Sequence, residues 1–366
     1  MDGVKLLINL KEMEQNLIKI KKHLKDNEIK ILAVLKCNAY GHGLKEVAKK
    51  LQNQVDYFGV GLLEEGIQLR KYTIKKPILV MGPSNNCEDM VNNNLTMTIT
   101  SLSQYIEVLG WAKNHQQQIK IHIKIDTGMN RFGLKENEIN AFMSIYNDKY
   151  TKLEGVFSHF ATTYKKNKKK VKEQKEKLDQ ALMKLEAHFP DLIIHIANSE
   201  NAIDYKECRY NMVRIGNGLY GPCQTKNNIK LTKVSTLKVP IININNVEKG
   251  KYIGYGMDYK AKKNIKIGIL PIGFYDGYGI NKKNTGINLL KFILCQFKPI
   301  FCCMFKSESQ IYYKKKRLKL IGKPNMQYTL VELPETLCPN EFEYVEIDIS
   351  PIYIRESIPR IYGGTI

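Results

Sequence analysis

Leu10, Met13, Leu17, Ile20 and Leu24 recur at the three- and four-residue spacing of a helix that buries one face. Asn9 precedes them as an N-cap, and Glu12, three residues on, would complete a capping box. The next apolar run, Ile29 to Leu35, has no helical period and reads as a buried strand that ends at Lys36. A helix-like pattern from Leu44 to Leu51 follows, and the alternation then repeats. Further strands are predicted at 55–61, 77–81, 95–100, 119–125, 152–158, 191–197 and 211–215. Helical patterns lie between them at Glu64 to Arg70, Ser101 to Ala112, Glu136 to Tyr146 and Lys172 to His188. Ser101 with Gln104 forms a second capping-box signature.

Eight strand-like segments separated by helical spacers argue for an α/β fold, a (β/α)8 barrel of the TIM type. An open doubly wound sheet would place a G-x-G-x-x-G turn after its first strand. Here that turn is Lys36-Cys37-Asn38-Ala39-Tyr40-Gly41-His42-Gly43, so the barrel is favoured. Beyond Tyr220 the period changes to two, without intervening helices, at 229–239, 265–270, 311–320, 328–332 and 342–349. That pattern predicts a second, mostly β domain. The expected division is a barrel over residues 1–225 and a β domain over 226–366.

The 366 residues are 43% hydrophobic and 25% charged, an ordinary globular balance long enough for these two domains. Disorder and small disulfide scaffolds are excluded. Lys+Arg number 57 against 36 Asp+Glu, a net charge of +21 that by itself would suggest nucleic acid or an anionic surface. The excess is mostly lysine beside abundant asparagine, isoleucine and tyrosine, which a compositional bias also produces. The barrel and β domain leave no room for a separate nucleic-acid or membrane module, and neither partner is expected. The lysine-rich tract 165–177 reads as a solvated loop leading into an amphipathic helix. Eight cysteines (37, 87, 208, 223, 295, 302, 303 and 338) show no C-x-x-C pair, so reduced thiols, a cytoplasmic location and no metal are expected. The start of the chain lacks the pattern of a signal peptide. The apolar stretch Ile287 to Phe305 is broken by Lys291, Gln296, Lys298 and Pro299, unlike a membrane span.

Barrels collect reacting groups where their strands end. Here those places carry Lys36 with Tyr40, then Lys124 to Arg131, Ser158-His159, His195 to Ser199, and Arg214 to Gly218. A lysine closing an apolar strand suits Schiff-base chemistry, because desolvation favours the neutral, nucleophilic amine. Ser199 and the Gly-rich turn after Arg214 stand at the last two strands, where barrels commonly bind phosphate. A Schiff-base lysine and a phosphate cradle in one barrel mouth fit pyridoxal phosphate.

Ala33-Val34-Leu35-Lys36-Cys37-Asn38-Ala39-Tyr40-Gly41-His42-Gly43 resembles the pyridoxal-phosphate attachment motif of bacterial alanine racemases. The resemblance continues through His122 to Arg131, Ser158 to Thr162, His195 to Ser199, Arg214-Ile215-Gly216 with Tyr220-Gly221, Gly254-Tyr255-Gly256, and Pro271 to Gly277. It implies that Lys36 holds the cofactor and is the base on one face, while Tyr255 of a second subunit is the base on the other. It further implies that Arg214 faces the pyridine nitrogen and that His195 buttresses Arg214, linking it toward Tyr255. By the same resemblance His159 packs near the cofactor ring. Tyr40, Ser199, Gly216 and Asn217 bind its phosphate, and Arg131 grips the substrate carboxylate with Lys124, carbamylated in some members, beside it. A homodimer with shared active sites follows, forming D-alanine for cell-wall peptidoglycan.

The match weakens beyond about residue 280. The family's Cys-Met-Asp-Gln stretch is represented by Gly322 to Tyr328, where Met326 stands on the substrate side and Gln327 replaces the aspartate. Phe274 replaces a tyrosine, 278–323 is longer than usual, and Glu356 falls where a tyrosine is expected, with Tyr353 nearby as its replacement. Alanine is the expected substrate, with serine or a broader range as the alternative. A barrel decarboxylase and an inactive basic binding module are the remaining readings.

Overall fold

The computed structural model describes residues 3–227, 229–279, 310–336 and 339–363. The apolar stretch 287–305, most of the 278–323 insertion, and Cys295, Cys302, Cys303 and Cys338 lie outside the described residues. The chain forms two compact units, Asn9–Val234 and Met1–Ile8 with Ser235–Ile366.

A short first strand, β1 (Lys5–Ile8), belongs to the second unit. The barrel unit opens with α1 (Leu10–Leu24). Asn9 Oδ1 accepts the N–H groups of Lys11 and Glu12 at 3.0 Å each, so the predicted cap forms. The Asn9 N–H donates to the Val234 carbonyl at 2.8 Å, so Glu12 does not close a box. The parallel strands follow as β2 (Lys30–Val34), β3 (Tyr57–Val60), β4 (Ile78–Pro83), β5 (Thr96–Ile99), β6 (Ile119–Lys124), β7 (Thr151–Phe157), β8 (Ile193–His195) and β9 (Met212–Ile215). Between them run the left-handed turn α2 (Lys36–Tyr40) and helices α3 (Leu44–Leu51), α4 (Leu63–Lys71), α5 (Cys87–Asn92), α6 (Leu102–His115), α7 (Glu136–Ile145), α8 (Lys168–Leu185), α9 (Ser199–Asp204) and α10 (Asn217–Tyr220).

The strand order is β8-β7-β6-β5-β4-β3-β2-β9. Where β8 meets β9, side chains and one backbone bond join the two ends. Asn211 accepts the Ile194 N–H at 2.6 Å and donates to the Leu192 carbonyl at 2.7 Å, and the Arg214 N–H reaches the Ala197 carbonyl at 3.0 Å. The unbroken apolar run of β2 has a plain cause. Ile31 and Ala33 pack outward against the helices, whereas Leu32 and Val34 fill the barrel interior with Leu79, Phe157, Ile193 and Met212.

Helix α8 begins at Lys168, earlier than predicted, because Asn167 Oδ1 accepts the Lys170 N–H at 3.0 Å. Val171, Gln174, Leu178, Ala181, Leu182 and Leu185 form its buried face, and Lys168, Lys169, Lys170, Lys172 and Lys177 are exposed. In α6, Ser101 Oγ accepts the Gln104 N–H at 3.2 Å, but the Gln104 side chain reaches back to the Thr100 N–H at 2.7 Å instead of closing the box.

The second unit adds β10 (Ser235–Pro240), β11 (Asn243–Val247), β12 (Tyr252–Ile253), β13 (Tyr259–Lys260), β14 (Ile265–Leu270), β15 (Ile311–Tyr313), β16 (Lys316–Arg317), β17 (Lys319–Ile321), β18 (Thr329–Leu333), β19 (Tyr344–Ile347) and β20 (Arg360–Tyr362). They form sheets ordered β16-β15-β19-β10-β1-β20, β11-β14-β18-β17 and β12-β13. The single strand predicted over 311–320 is three: a turn with positive φ at Lys314 and Lys315 parts β15 from β16, and Leu318 parts β16 from β17. The division between the units falls after Val234, not at 225, and residues 1–8 join the β unit. β1 pairs antiparallel with β10, Leu6 opposite Leu237, and parallel with β20. Four residues carry too little pattern to announce a strand whose partners lie at the far end of the chain. Among the described residues no helix is long and apolar enough to cross a membrane.

Asn16 is a polar residue on the buried face of α1. Its Nδ2 donates to the carbonyls of Thr232 at 2.7 Å and Leu219 at 3.1 Å, and its Oδ1 accepts the Thr232 N–H at 2.8 Å. Asn16→Leu leaves those groups without partners and is expected to cost about 3 kcal/mol. Urea denaturation of the two proteins checks this; an unchanged midpoint contradicts it.

Candidate active site

A cavity of about 480 Å³ opens where the parallel strands end, and all its lining residues belong to the barrel unit. Lys36, Tyr40, Lys124, Arg131, His159, Ser199, Arg214, Gly216 and Asn217 all line it. Every barrel residue expected at the cofactor or substrate thus converges on one space, with His195 buried behind Arg214. Tyr255 and Met326 belong to the other unit.

Burial of the first strand stops at Leu35, and Lys36 itself is exposed at the cavity, so the expected desolvated lysine is not seen. Cys37, Asn38, Ala39 and Tyr40 then adopt φ between 52° and 54°, a left-handed turn of non-glycine residues. Such residues each cost about 1–2 kcal/mol in that conformation. Hydrogen bonds hold the turn in place. The Ala39 N–H donates to Leu35 O at 2.8 Å, Asn38 Oδ1 accepts the Leu44 N–H at 2.7 Å, and Glu65 accepts the N–H groups of Gly61 at 2.8 Å and Asn38 at 3.4 Å.

One corner of the cavity is built to hold an oxyanion. Ser199 Oγ accepts the N–H groups of Gly216 at 3.0 Å and Gly218 at 3.2 Å, which leaves its own proton free to donate. The Tyr40 hydroxyl stands against Gly216, where a Cβ would lie 2.8 Å from it. Burial pushes the Tyr40 phenol up to about 12, with Cys37 and Glu200 adding to the effect, so it stays a donor. Its ring packs on Tyr220 at 4.9 Å; Tyr220 stacks on His42 at 4.6 Å and donates to Val34 O at 3.0 Å.

Arg214 is almost wholly buried and is surrounded by acceptors without a carboxylate. Its NH1 reaches His195 Nδ1 at 2.7 Å and His195 O at 3.0 Å. Its NH2 reaches the carbonyls of Ser158 at 2.8 Å and Ile196 at 2.9 Å, and His159 Nδ1 at 3.0 Å. Burial lowers its pKa to about 10, which leaves it a cation at neutral pH. His159 is pushed down to about 3 by burial and then by Arg214 and Lys124, so it stays neutral. Burial likewise holds His195 well below the ordinary histidine range. The Nε2 of His195 meets His122 Nδ1 at 3.1 Å, so the link expected from His195 toward Tyr255 runs into the barrel instead.

Lys124 is lowered to about 8 by burial, then by Arg131 and Arg214. It lies near the Phe132 and Phe157 rings at 5.4 and 5.8 Å. Asp126 Oδ1 gathers the N–H groups of Gly128, Met129 and Asn130 at 3.0, 3.0 and 3.1 Å, shaping the loop that presents Arg131. The lining therefore carries the cations Lys36, Lys124, Arg131 and Arg214 against one carboxylate, Glu200.

In the second unit, Tyr255 is 88% exposed on a tight turn with positive φ at Gly254, Gly256 and Met257. Phe274, Tyr275, Met326, Tyr328 and Tyr353 are also exposed. The N–H groups of Phe274 and Tyr275 donate to the Asn325 and Met326 carbonyls at 3.0 and 3.1 Å. A Cβ at Gly273 would strike the Asn325 carbonyl oxygen, and one at Gly277 that of Tyr353. Glycine is thus what lets these three segments meet. Glu356 is exposed close by in sequence, its carbonyl accepting from Arg360 at 2.8 Å.

Two family models account for most of the chain: "Alanine racemase, N-terminal domain" over residues 8–224 and "Alanine racemase, C-terminal domain" over 234–347. This chain belongs to the alanine racemase family. "Alanine racemase 2" of Caldanaerobacter subterraneus subsp. tengcongensis is 33% identical over 341 residues, covering 90% of this chain and 81% of that protein. An alanine racemase of Streptococcus pyogenes is 33% identical over 289 residues, covering 76% and 77%. The solved alanine racemase of Clostridium difficile 630 superposes with a TM-score of 0.86 at 28% identity, covering 99% of this chain and 96% of that one.

Alanine racemases are pyridoxal-phosphate enzymes, and the donor set fits that group. Lys36 can attach an aldehyde, and Ser199, Tyr40 and the Gly216 corner can take a phosphate. Among the described residues the guanidinium of Arg214 bonds through NH1 and NH2, so its Nε could meet a ring nitrogen. Three contributors escaped sequence reasoning: Glu65, which supports the left-handed turn, Tyr220, which backs Tyr40, and His122, which pairs with His195. His122 stands two residues before Lys124 and so on the same strand face, but nothing in the sequence shows that His195 lies beside it.

Gly216→Ala would drive a Cβ toward the Tyr40 hydroxyl and is expected to weaken cofactor binding by tenfold or more (about 1.4 kcal/mol). Absorbance titration of the protein with pyridoxal phosphate measures it; an unchanged dissociation constant removes this corner from the site.

Proposed function

We propose that the chain interconverts L- and D-alanine as a homodimer, with Lys36 acting on one face of pyridoxal phosphate and Tyr255 of the partner subunit on the other. The observation that carries this reading is the convergence of Lys36, the Ser199–Gly216 corner and a carboxylate-free Arg214 in one cavity. Bound pyridoxal phosphate supplies an electron sink for the pair left when the α-proton departs. Racemisation removes that proton on one face and returns it on the other, so two opposed groups are the minimum. Lys36 Nζ holds the proton on one side and the Tyr255 hydroxyl on the other. The exposure of Tyr255 in its own chain supports delivery to a second copy.

Arg214 stays protonated, so it would offer the ring nitrogen of the bound cofactor a hydrogen bond without surrendering a proton, which would limit the electron sink and disfavour side reactions. Arg131 and Lys124 take the substrate carboxylate, and Met326 borders the small side chain. The D-alanine formed serves peptidoglycan synthesis.

Incubation with L-alanine should yield D-alanine, measured by chiral chromatography. D-Serine formed from L-serine at a comparable rate would move the assignment to a broad-range racemase, and CO2 release without racemisation would move it to a decarboxylase. Borohydride should trap the cofactor on Lys36, and Lys36→Ala should abolish its absorbance.

Mixing inactive Lys36→Ala with crippled Tyr255→Phe gives heterodimers holding one intact site if Tyr255 acts in trans. Partial recovery of activity is expected, and none if the tyrosine works in its own chain. Lys124 carries its charge below pH about 8 and loses it above. The inhibition constant of propionate, which has no amino group to titrate, should therefore rise as pH passes 8, and Lys124→Met should flatten that rise.

A further inference from the structure

We infer that His122 is a positioning residue that fixes the tautomer of His195 and thereby the orientation of Arg214. The inference rests on the pyridoxal-phosphate reading for its catalytic consequence, and on hydrogen-bond polarity alone for the assignment itself.

The polarity follows from one fact: a guanidinium can only donate. Arg214 NH1 lies 2.7 Å from His195 Nδ1, so that nitrogen accepts and the proton of the neutral ring sits on Nε2. His195 Nε2 lies 3.1 Å from His122 Nδ1, which must accept in turn. The His122 proton is then on its own Nε2, a buried atom without a hydrogen-bond partner among the described residues. The same reasoning places the His159 proton on Nε2, because Arg214 NH2 lies 3.0 Å from its Nδ1. Arg214 thus calls for an accepting Nδ1 on His195 and His159, and His122 Nδ1 is the acceptor that lets His195 carry its proton on Nε2.

Both His122 and His195 are fully buried. Phe157 stacks on the His195 ring at 4.8 Å and 4°. Gly155 leaves room for the edge of His122: a Cβ there would lie 2.6 Å from its Cε1 and 2.8 Å from its Nδ1. The chain of bonds ends in a donor left unpaired, which is unfavourable. An apolar residue at 122 would avoid that orphan but strand the His195 Nε2–H. Moving that proton to Nδ1 would then set two donors against each other at Arg214. His122 is what lets His195 accept from Arg214 without leaving its own Nε2–H unpaired.

The test uses the whole protein labelled with 15N-histidine, read by two-bond proton–nitrogen correlation before and after cofactor is added. Without cofactor, His195 and His122 should both be neutral with the proton on Nε2. His122→Asn, whose Oδ1 can replace the accepting Nδ1, should keep the His195 tautomer, the cofactor absorbance maximum and racemisation. His122→Leu should move the His195 proton to Nδ1 in part or wholly, shift the absorbance maximum, and lose activity that His122→Asn retains. A proton on Nδ1 of His195 in the unsubstituted protein overturns the assignment, and this holds even if the leucine variant fails to fold. An unaltered His195 tautomer in a folded His122→Leu protein also overturns it. A protein with the expected tautomers that does not racemise amino acids overturns the racemase reading and leaves the assignment standing.

Discussion

A buried guanidinium with no acid beside it organises the mouth of this barrel. Arg214 cannot be neutralised by a salt bridge, so the fold surrounds it with carbonyls from the ends of β7 and β8 and with two neutral imidazoles. Burying such a charge is unfavourable unless its donors find acceptors, as both terminal nitrogens do here. The need for acceptors explains why His159 and His195 stand where they do, and burial, with Arg214 adding to it, keeps both neutral. It also joins β9 to its neighbours at the place where the ladder between β8 and β9 gives way to isolated bonds.

The same cation shapes the electrostatics of the cavity. Lys124 is pushed down by burial and by Arg131 and Arg214, so the space repels further positive charge and favours ligands with phosphate or carboxylate groups. Strain is concentrated opposite, in the left-handed turn after Lys36. The turn survives because Glu65 and the Asn38 side chain satisfy backbone groups that the unusual conformation would otherwise leave open. The net charge of +21 contributes little to any of this. Many of its lysines, as in α8, lie on a solvated helix face with apolar residues behind them.

Much of the architecture was legible in the chain itself. The buried run of β2, the period of α3 over Leu44 to Leu51, and the caps at Asn9 and Ser101 are local signals, because pitch, alternation and caps depend on residues within one or two turns. The candidate site was legible as well, since a barrel sends strand-end residues to one mouth and the motifs mark those ends. What was misread depended on competing partners, distant in one case and local in the other. Glu12 and Gln104 had the right spacing for capping boxes, yet the Asn9 N–H goes to Val234 and the Gln104 side chain to Thr100.

Local sequence therefore determined the alternation of strands and helices, the lysine at the end of β2, and the set of residues available at the barrel mouth. Tertiary structure alone decided that Lys5–Ile8 joins the C-terminal unit, that Asn16 bonds Leu219 and Thr232, and that His195 meets His122. The physical reason is the same in each case. A propensity or a cap is set by neighbours along the chain, whereas the partner of a buried polar group is set by whichever distant group folding brings within 3 Å.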